Sequence, residues 1–418
     1  MQNYHKHTSY SNLFSMDSIA SYEDYAKRAV ELGHKVLTSV EHGWQSNYYV
    51  PYGVAQKYGL KFVFGTEAYW VKDRFSKEGK ANHIVILAKN EKGRQSINDI
   101  LSEANITGYY YRPRLDLSLI FTLPPEDVFI TSACVAFWGY EDIEDIVVQM
   151  KTYFKSNFML EIQNHATDKQ IRLNKLIKEL SEKYHIPMIA GLDSHYILPD
   201  QSILRDEALL SKGIKYEDED GWYMDYPTDE ECFRRFKRQN IFTDREIQQA
   251  MDNTDILLTF EDLHFSKEIK LPVLPKYKGK TLEERKKIYS KLITRQFKEY
   301  MKGLPPQEYE RYFKGVKEEV AVYKDTNMVD YPLINYEVIK RGIELGGVIT
   351  DTGRGSAVGF FTNTLCGFSK VDRFQSAIHI YPERFMSTSR IIETKSLPDK
   401  QNKQRRQNTY ILFTCRPR

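Results

Sequence analysis

The sequence predicts an α/β protein, a closed or nearly closed barrel followed by a mainly helical region, and three observations carry that prediction. Short apolar runs rich in Val, Ile and Phe alternate with amphipathic helical stretches up to residue 200, a repetition that implies a parallel sheet. Seven strand-like runs fall before residue 192, enough to close a barrel. Metal-binding residue types recur where those runs end, which is where such barrels place their chemistry.

Taken in order, the strand-like runs are Gln2 to His7, Lys35 to Val40, Lys61 to Val71, His83 to Ala88, Val128 to Thr131, Phe158 to Gln163 and Pro187 to Gly191. Between the first two, Ser18 to Gly33 reads as a helix opened by a capping serine and closed by a C-cap glycine. Asp168 to Tyr184 sets Ile171, Leu173, Leu176, Ile177 and Leu180 near one stripe. Past residue 200 the character changes. Glu217-Asp-Glu-Asp220 reads as a solvated acidic loop, Gly221-Trp-Tyr-Met-Asp-Tyr226 is aromatic, and Leu271-Pro-Val-Leu-Pro275 reads as a linker. Helix-rich sequence then covers Thr281 to Lys302, Gln307 to Lys324 and Asn335 to Leu345. Its basic residues interleave with aromatics, as in Arg295-Gln-Phe-Lys-Glu-Tyr300 and Arg311-Tyr-Phe-Lys314, a pattern shared by nucleic-acid contacts and ordinary amphipathic helices.

At 418 residues the chain has room for two or three domains and a sizeable core. Lys and Arg number 60 against 57 Asp and Glu, so no global polyanion-binding surface is encoded and any DNA contact must be local. Cys134, Cys232, Cys366 and Cys415 are too far apart for a disulfide framework or a Cys-x-x-Cys clip, which fits a reducing compartment. There is no apolar leader and no run of about 18 apolar residues, so the sequence predicts a soluble, cytoplasmic protein with no membrane partner.

His5 and His7, at i and i+2, share one face of a strand and can reach one metal ion. Asp193-Ser-His195 repeats that geometry after the last run. His42 follows the second run, Glu67 closes Gly65-Thr66-Glu67, His83 opens the fourth run, Cys134 follows the fifth, and Asp17 precedes the first helix. Singly, each has an ordinary alternative: His42 as a turn residue, Cys134 as a small buried hydrophobe. Together they mix imidazole, carboxylate and thiolate, which suits zinc, manganese or iron better than magnesium or calcium. They exceed what one ion can use, so two or three divalent metals are expected, a cluster that activates water and clamps a phosphoryl group. His34, His185, His264 and His379 show no such pattern, whereas His165, just after Glu161-Ile-Gln-Asn164, is placed to line the site.

In this order, His5-x-His7, Asp17, Glu41-His42-Gly43, Gly65-Thr-Glu67, His83, Thr131-Ser-Ala-Cys134 and Asp193-Ser-His195 resemble the successive motifs of the PHP domain (polymerase and histidinol phosphatase), in the version at the N-terminus of bacterial DNA polymerase III alpha subunits. The resemblance implies a distorted (β/α)7 barrel with a trinuclear site. It assigns one metal to His5, His7, Glu67 and Asp193, has Glu67 bridge to a second held by His83 and Cys134, and gives the third to Asp17, His42 and His195. The loop between Tyr10-Ser11 and Asp17 is longer than in the family pattern, so Asp17 is the departure. Many replicative polymerases of this family have lost several of these ligands. Here every position holds a competent residue type, implying a working phosphoesterase, a 3′ to 5′ exonuclease on DNA ends, with Asp193 or His165 relaying a proton.

A second stretch, Val348-Ile-Thr-Asp-Thr-Gly353-Arg354-Gly355-Ser356-Ala357, reads as a strand running into a glycine-rich turn that presents backbone N–H groups to phosphate. With Asp330-Tyr-Pro-Leu333, Gly367-Phe-Ser-Lys-Val-Asp372, Tyr381-Pro-Glu-Arg-Phe385 and Ser396-Leu-Pro-Asp399, it resembles the start of the same family's polymerase palm. The resemblance implies that Gly355 and Ser356 contact the incoming nucleotide's phosphates, with Arg354 beside them. A complete palm would hold magnesium through an Asp-x-Asp-x-Asp run beginning at Asp399. Instead Lys400 to Arg418 is a basic tail without a carboxylate, as expected of a frameshifted or otherwise aberrant end of a longer gene.

The expected organisation is a PHP barrel over residues 1–200, an extension and linker over 201–275, the N-terminal part of an incomplete palm over 276–399, and the tail over 400–418. The expected function is that of a truncated DNA polymerase III alpha-like chain whose PHP domain is the enzyme, with DNA and replication proteins as partners and no polymerase activity from these residues alone. The alternative is a catalytically inactive DNA- or partner-binding scaffold.

Overall fold

The computed structural model describes residues 1–13, 17–44, 48–77, 81–214, 221–265, 272–353, 355–377, 381, 382 and 386. The acidic run at 217–220, His379, Arg354, the Ser396-Leu-Pro-Asp399 stretch and the basic tail lie outside the described residues. The chain divides into two units, Met1–Phe265 and Ser266–Arg418.

In the first unit the strands are β1 (Val36–Ser39), β2 (Lys61–Trp70), β3 (Asn82–Ala88), β4 (Arg114–Leu115), β5 (Val128–Thr131), β6 (Phe158–Gln163) and β7 (Met188–Gly191). The helices are α1 (Tyr22–Glu31), α2 (Tyr49–Tyr58), α3 (Glu91–Thr107), α4 (Leu117–Ile120), α5 (Ile143–Phe154), α6 (Asp168–Tyr184), α7 (Ser202–Leu210), α8 (Asp229–Arg238) and α9 (Asp244–Asp252). The sheet runs β1-β2-β3-β5-β6-β7, with β4 beside β2. It is curled, and its strands are buried almost throughout, because the helices cover one surface and a second apolar cluster, including Val36, Val63, Val85, Phe129 and Ile189, packs on the other.

The expected parallel sheet is mixed. β1–β2, β5–β6 and β6–β7 are parallel, but β3 is antiparallel to both β2 and β5. No helix stands between β2 and β3 among the described residues, so the chain turns back beside β2 rather than crossing over.

The first strand-like run also differs. Residues 2–7 lie beside β1 without forming a strand, joined to the loop after β7 by one bridge, Lys6 with Ser194. His7 N–H donates to Ser194 O at 2.8 Å. On the β1 side, side chains replace the ladder: Gln2 Oε1 accepts from the Lys35 and Val36 N–H groups, and Thr38 Oγ1 donates to Tyr4 O at 2.8 Å. The ring is thus spanned by a polar strap.

α1 begins at Tyr22, capped by Ser21 in a capping box with Asp24; Ser18 lies outside the helix, and Gly33 follows the C-cap at φ +73°. α6 has the expected bounds; of its stripe Ile177 and Leu180 are buried, while Leu176 is 37% exposed. α8 and α9, beyond the barrel proper, share its core through Cys232, Phe236, Ile247 and Met251.

The second unit is helical among the described residues: α10 (Leu282–Met301), α11 (Tyr309–Asp325), α12 (Asp330–Glu344) and α13 (Phe361–Leu365). α12 starts five residues before the expected Asn335, because Pro332 sits in its first turn, where a missing N–H costs nothing. Of the aromatics interleaved with basic residues, Phe297 and Tyr312 are buried in the unit's core, Tyr300 packs against it, and Phe313 is 42% exposed. Glu319 is buried against Arg373 at 2.6 Å and accepts from the Phe361 and Thr362 N–H groups, tying α11 to the start of α13. Residues 348–351, expected as a strand, are irregular, and Val348 is 85% exposed; no described strand in this unit offers them a partner.

Candidate metal centre

Strands, the loops after them and the strap deliver the side chains. His5 and His7 come from the strap, His42 from the turn after β1, Glu67 from β2, His83 from β3, Cys134 from the turn after β5, and Asp193 and His195 from the loop after β7. Asp193 takes φ +45°, the left-handed region that non-glycine residues rarely adopt, and this bends the chain so that Asp193 and His195 both turn inward. Gly43, at φ +68°, lets the His42 turn lie on the Tyr69 ring, where a Cβ would stand 2.6 Å from a ring carbon.

Glu67 is the centre. Its Oε1 lies 3.2 Å from His5 Nε2 and 3.0 Å from His83 Nδ1, and its Oε2 lies 3.3 Å from His7 Nε2 and 2.7 Å from His42 Nδ1. Asp193 Oδ1 lies 3.4, 3.2 and 3.4 Å from the Nε2 atoms of His5, His7 and His195. Three groups bring their ligand atoms within 4.8 Å of one another: His5, His7 and Asp193; His7, His42 and His195; and His42, Glu67 and His83. His42 thus approaches Glu67 and His83 as well as His195. Cys134 Sγ lies 3.4 Å from His83 Nδ1, and Asp17 Oδ1 lies 3.3 Å from His195 Nδ1; neither joins a group.

These residues fit a bound cation. His5 Nε2, His7 Nε2, His42 Nδ1, Glu67 Oε2 and Asp193 Oδ1 are buried and make no hydrogen bond, although they crowd together. Orphaned buried polar atoms are costly, and several aimed at one space are satisfied by a metal ion. Burial disfavours the charge on Glu67, yet His83, His42 and His5 hold its carboxyl well below the usual range; His5 and His195 do the same for Asp193. Burial and His7 push His42 down to about 4, which leaves it neutral and competent as a ligand.

A second layer fixes the rings. Glu161 accepts from His5 Nδ1 at 2.7 Å, so His5 turns Nε2 inward, and the same carboxylate accepts from Tyr4 OH at 2.6 Å and Thr131 Oγ1 at 3.0 Å. His7 Nδ1 pairs with Ser11 Oγ, which in turn donates to Glu41; His195 Nδ1 pairs with Ser18 Oγ at 2.8 Å. Gly191 lies against Glu161, where a Cβ would meet Oε1 at 2.1 Å. Sequence reasoning missed Glu161 as a functional residue. The available signal was a carboxylate inside an otherwise apolar strand, Phe158-Met-Leu-Glu-Ile-Gln163, whose burial needs a partner.

His165 stands at the edge of the cluster. Its Nδ1 accepts the Tyr223 N–H at 3.0 Å, so Nε2 bears the proton, and that atom is buried without a partner. Burial lowers its pKa to about 4, opposed by Asp193, and Trp222 packs on its ring at 4.7 Å. Gly355 and Ser356 lie in a short 3-10 turn at the surface, Gly355 at φ +67°.

Two family models match the chain: the PHP domain over residues 3–165 and the bacterial DNA polymerase III alpha NTPase domain over residues 286–407. The DNA polymerase III subunit alpha of Helicobacter pylori is 25% identical over 437 residues, covering 94% of this chain and 34% of that protein. The Borreliella burgdorferi subunit is 26% identical over 426 residues, with 94% and 34% covered. The chain therefore spans about a third of the length of these curated relatives. Among solved structures, a putative metal-dependent phosphoesterase from Bifidobacterium adolescentis is 12% identical at a TM-score of 0.30, covering 56% of this chain and 96% of that one. No helix among the described residues is long and apolar enough to cross a membrane.

Proposed function

Because the chain is homologous to DNA polymerase III alpha subunits over 94% of its length and carries their PHP domain, we propose that its first unit is a metal-dependent phosphoesterase acting as a 3′ to 5′ exonuclease on DNA ends. The observation that supports it is the set of buried, unbonded donor atoms on His5, His7, His42, Glu67 and Asp193. Two or three zinc, manganese or iron ions would be held by these residues with His83, His195, Cys134 and Asp17. Bound there, such ions supply Lewis acidity to a phosphoryl oxygen and lower the pKa of a coordinated water.

The protein's own groups do the rest. Glu161, Ser11 and Ser18 hold the rings of His5, His7 and His195 in their orientations. Asp193 has a side chain 16% exposed, so it can pass a proton to solvent. His165, neutral and with Nε2–H unpaired, can donate to a phosphate oxygen. In the second unit, Gly355 and Ser356, with Arg354, would meet a nucleotide's phosphates. DNA and other replication proteins are the proposed partners, and the cytoplasm the proposed location.

The test is bound metal per chain by elemental analysis, together with stepwise shortening of a 5′-labelled single strand. Two or three equivalents and 3′-end digestion, both reduced in His5→Ala/His7→Ala, are expected. A folded protein that takes up no metal, or a metal-loaded one that leaves DNA ends intact, refutes the proposal and favours a scaffold.

A further inference from the structure

Between α3 and β4 the chain reads Gly108-Tyr-Tyr-Tyr-Arg-Pro-Arg114, a stretch to which nothing above assigns a role. It forms a tight turn. Tyr110 N–H donates to Arg112 O at 3.1 Å, and Tyr111 at the apex takes φ +59°. The turn is braced from below: buried Arg114 donates to the carbonyls of Gly108, Arg74 and Ser76, and a Cβ on Gly108 would meet Arg114 O at 2.1 Å. On this rigid base two rings point outward, Tyr109 at 57% and Tyr111 at 79% exposed. Exposed aromatics on a braced turn are not explained by packing.

The turn also borders the metal centre. The Arg112 guanidinium lies 4.4 Å over the Tyr69 ring, and that ring packs on His42 at 6.0 Å and on His83 at 5.1 Å. Among the described residues no carboxylate lies within ion-pair distance of Arg112. A guanidinium left unpaired beside a phosphoester-type site, flanked by two solvent-facing rings, combines the two elements of single-strand recognition: a positive charge for the backbone and flat faces for the bases.

We propose that the 108–114 turn is the single-stranded DNA track of the metal centre, with Tyr109 and Tyr111 stacking bases and Arg112 holding a backbone phosphate next to the site. This rests on the exonuclease reading for its choice of ligand, but it is tested by binding and not by hydrolysis. Stacking is sequence-tolerant, so the track would accept any base.

The probe is a fluorescein-labelled dT oligonucleotide, read by anisotropy with the full chain. Tyr109→Ala/Tyr111→Ala is expected to weaken binding at least tenfold, while Tyr109→Phe/Tyr111→Phe, which keeps both rings, binds as the parent does. Arg112→Gln is expected to lower the slope of log affinity against log salt by about 0.7. A dT strand carrying 3′-terminal 4-thiothymidine is expected to crosslink on irradiation to the 108–112 peptide. Equal affinity of the double alanine variant, a phenylalanine variant as weak as the alanine one, or crosslinks only elsewhere would overturn the proposal. If these results hold while DNA ends stay intact, the nuclease reading fails and the track stands.

Discussion

Glu161→Gln isolates the second layer of the metal centre. The carboxylate accepts from His5 Nδ1, Tyr4 OH, Thr131 Oγ1 and Gln163 Nε2 at 2.7, 2.6, 3.0 and 2.8 Å. Glutamine keeps the shape but has one acceptor oxygen and no charge, so it cannot satisfy four donors. One charge-assisted hydrogen bond is lost outright, about 1.5–3 kcal/mol, and the His5 ring is free to present the wrong nitrogen. Taking about 2 kcal/mol as the share felt at the metal gives a loss of roughly thirtyfold in affinity, inside the range seen when such outer partners are removed. The assay is competition with a fluorescent zinc chelator at pH 7.5, with thermal unfolding of the metal-free protein as control. An affinity within threefold of the parent would refute the reasoning, since it would mean that His5 needs no carboxylate to hold its orientation.

Other expectations follow from single contacts. Gly43→Ala must put a methyl into the Tyr69 ring at a left-handed φ; a loss of about 2 kcal/mol or more, read from urea unfolding, is expected, and a neutral result would contradict the geometry. His165, held at about 4 against an ordinary 6.5, binds fewer protons folded than unfolded between those values. Its contribution is present above pH 6.5 and lost as pH falls toward 4, up to about 3 kcal/mol. His165→Asn, which keeps an acceptor for the Tyr223 N–H, should flatten that acid limb of the stability curve, and an unchanged limb would sink the assignment. Burial pushes the Cys232 and Cys366 thiols up to about 12, so iodoacetamide at pH 8 should spare both in the native protein and modify both in urea, as peptide mass mapping would show. For the same reason their contribution to stability is full below pH 9 and falls as pH rises from there toward 12.

Two pairs of the cluster were legible in their i, i+2 spacing, although the structure places neither pair in a strand. His5 with His7, and Asp193 with His195, sit at i and i+2; the first pair approaches Glu67, and Asp193 lies against His5, His7 and His195. Glu161 was not legible, because a strand residue's role depends on which neighbour lies across the sheet, here the strap from residues 2–7. The antiparallel sense of β3 was hidden for a similar reason: strand order and direction are properties of pairing, and the sequence of β2 and β3 is equally apolar in either sense. Ser18 was placed as a helix cap on residue type alone. The capping box at Ser21 and Asp24 competes better for the helix start and releases Ser18 to His195. In the second unit, a strand expected at 348–351 had the right composition but no neighbour to pair with among the described residues.

The strap that carries His5 and His7 has a kinetic side. Asn3 Nδ2 bonds Ser194 Oγ, a partner 191 residues later in the chain, and the Lys6 bridge spans nearly the same distance. Residues 3–6 therefore wait for almost the whole barrel before they can be seated, and closing so long a loop is repaid only when β1 and the loop after β7 are in place. Assembly of the metal centre then coincides with the last step of folding of the unit. A partly unfolded barrel would have most of its sheet while His5 and His7 were still unseated.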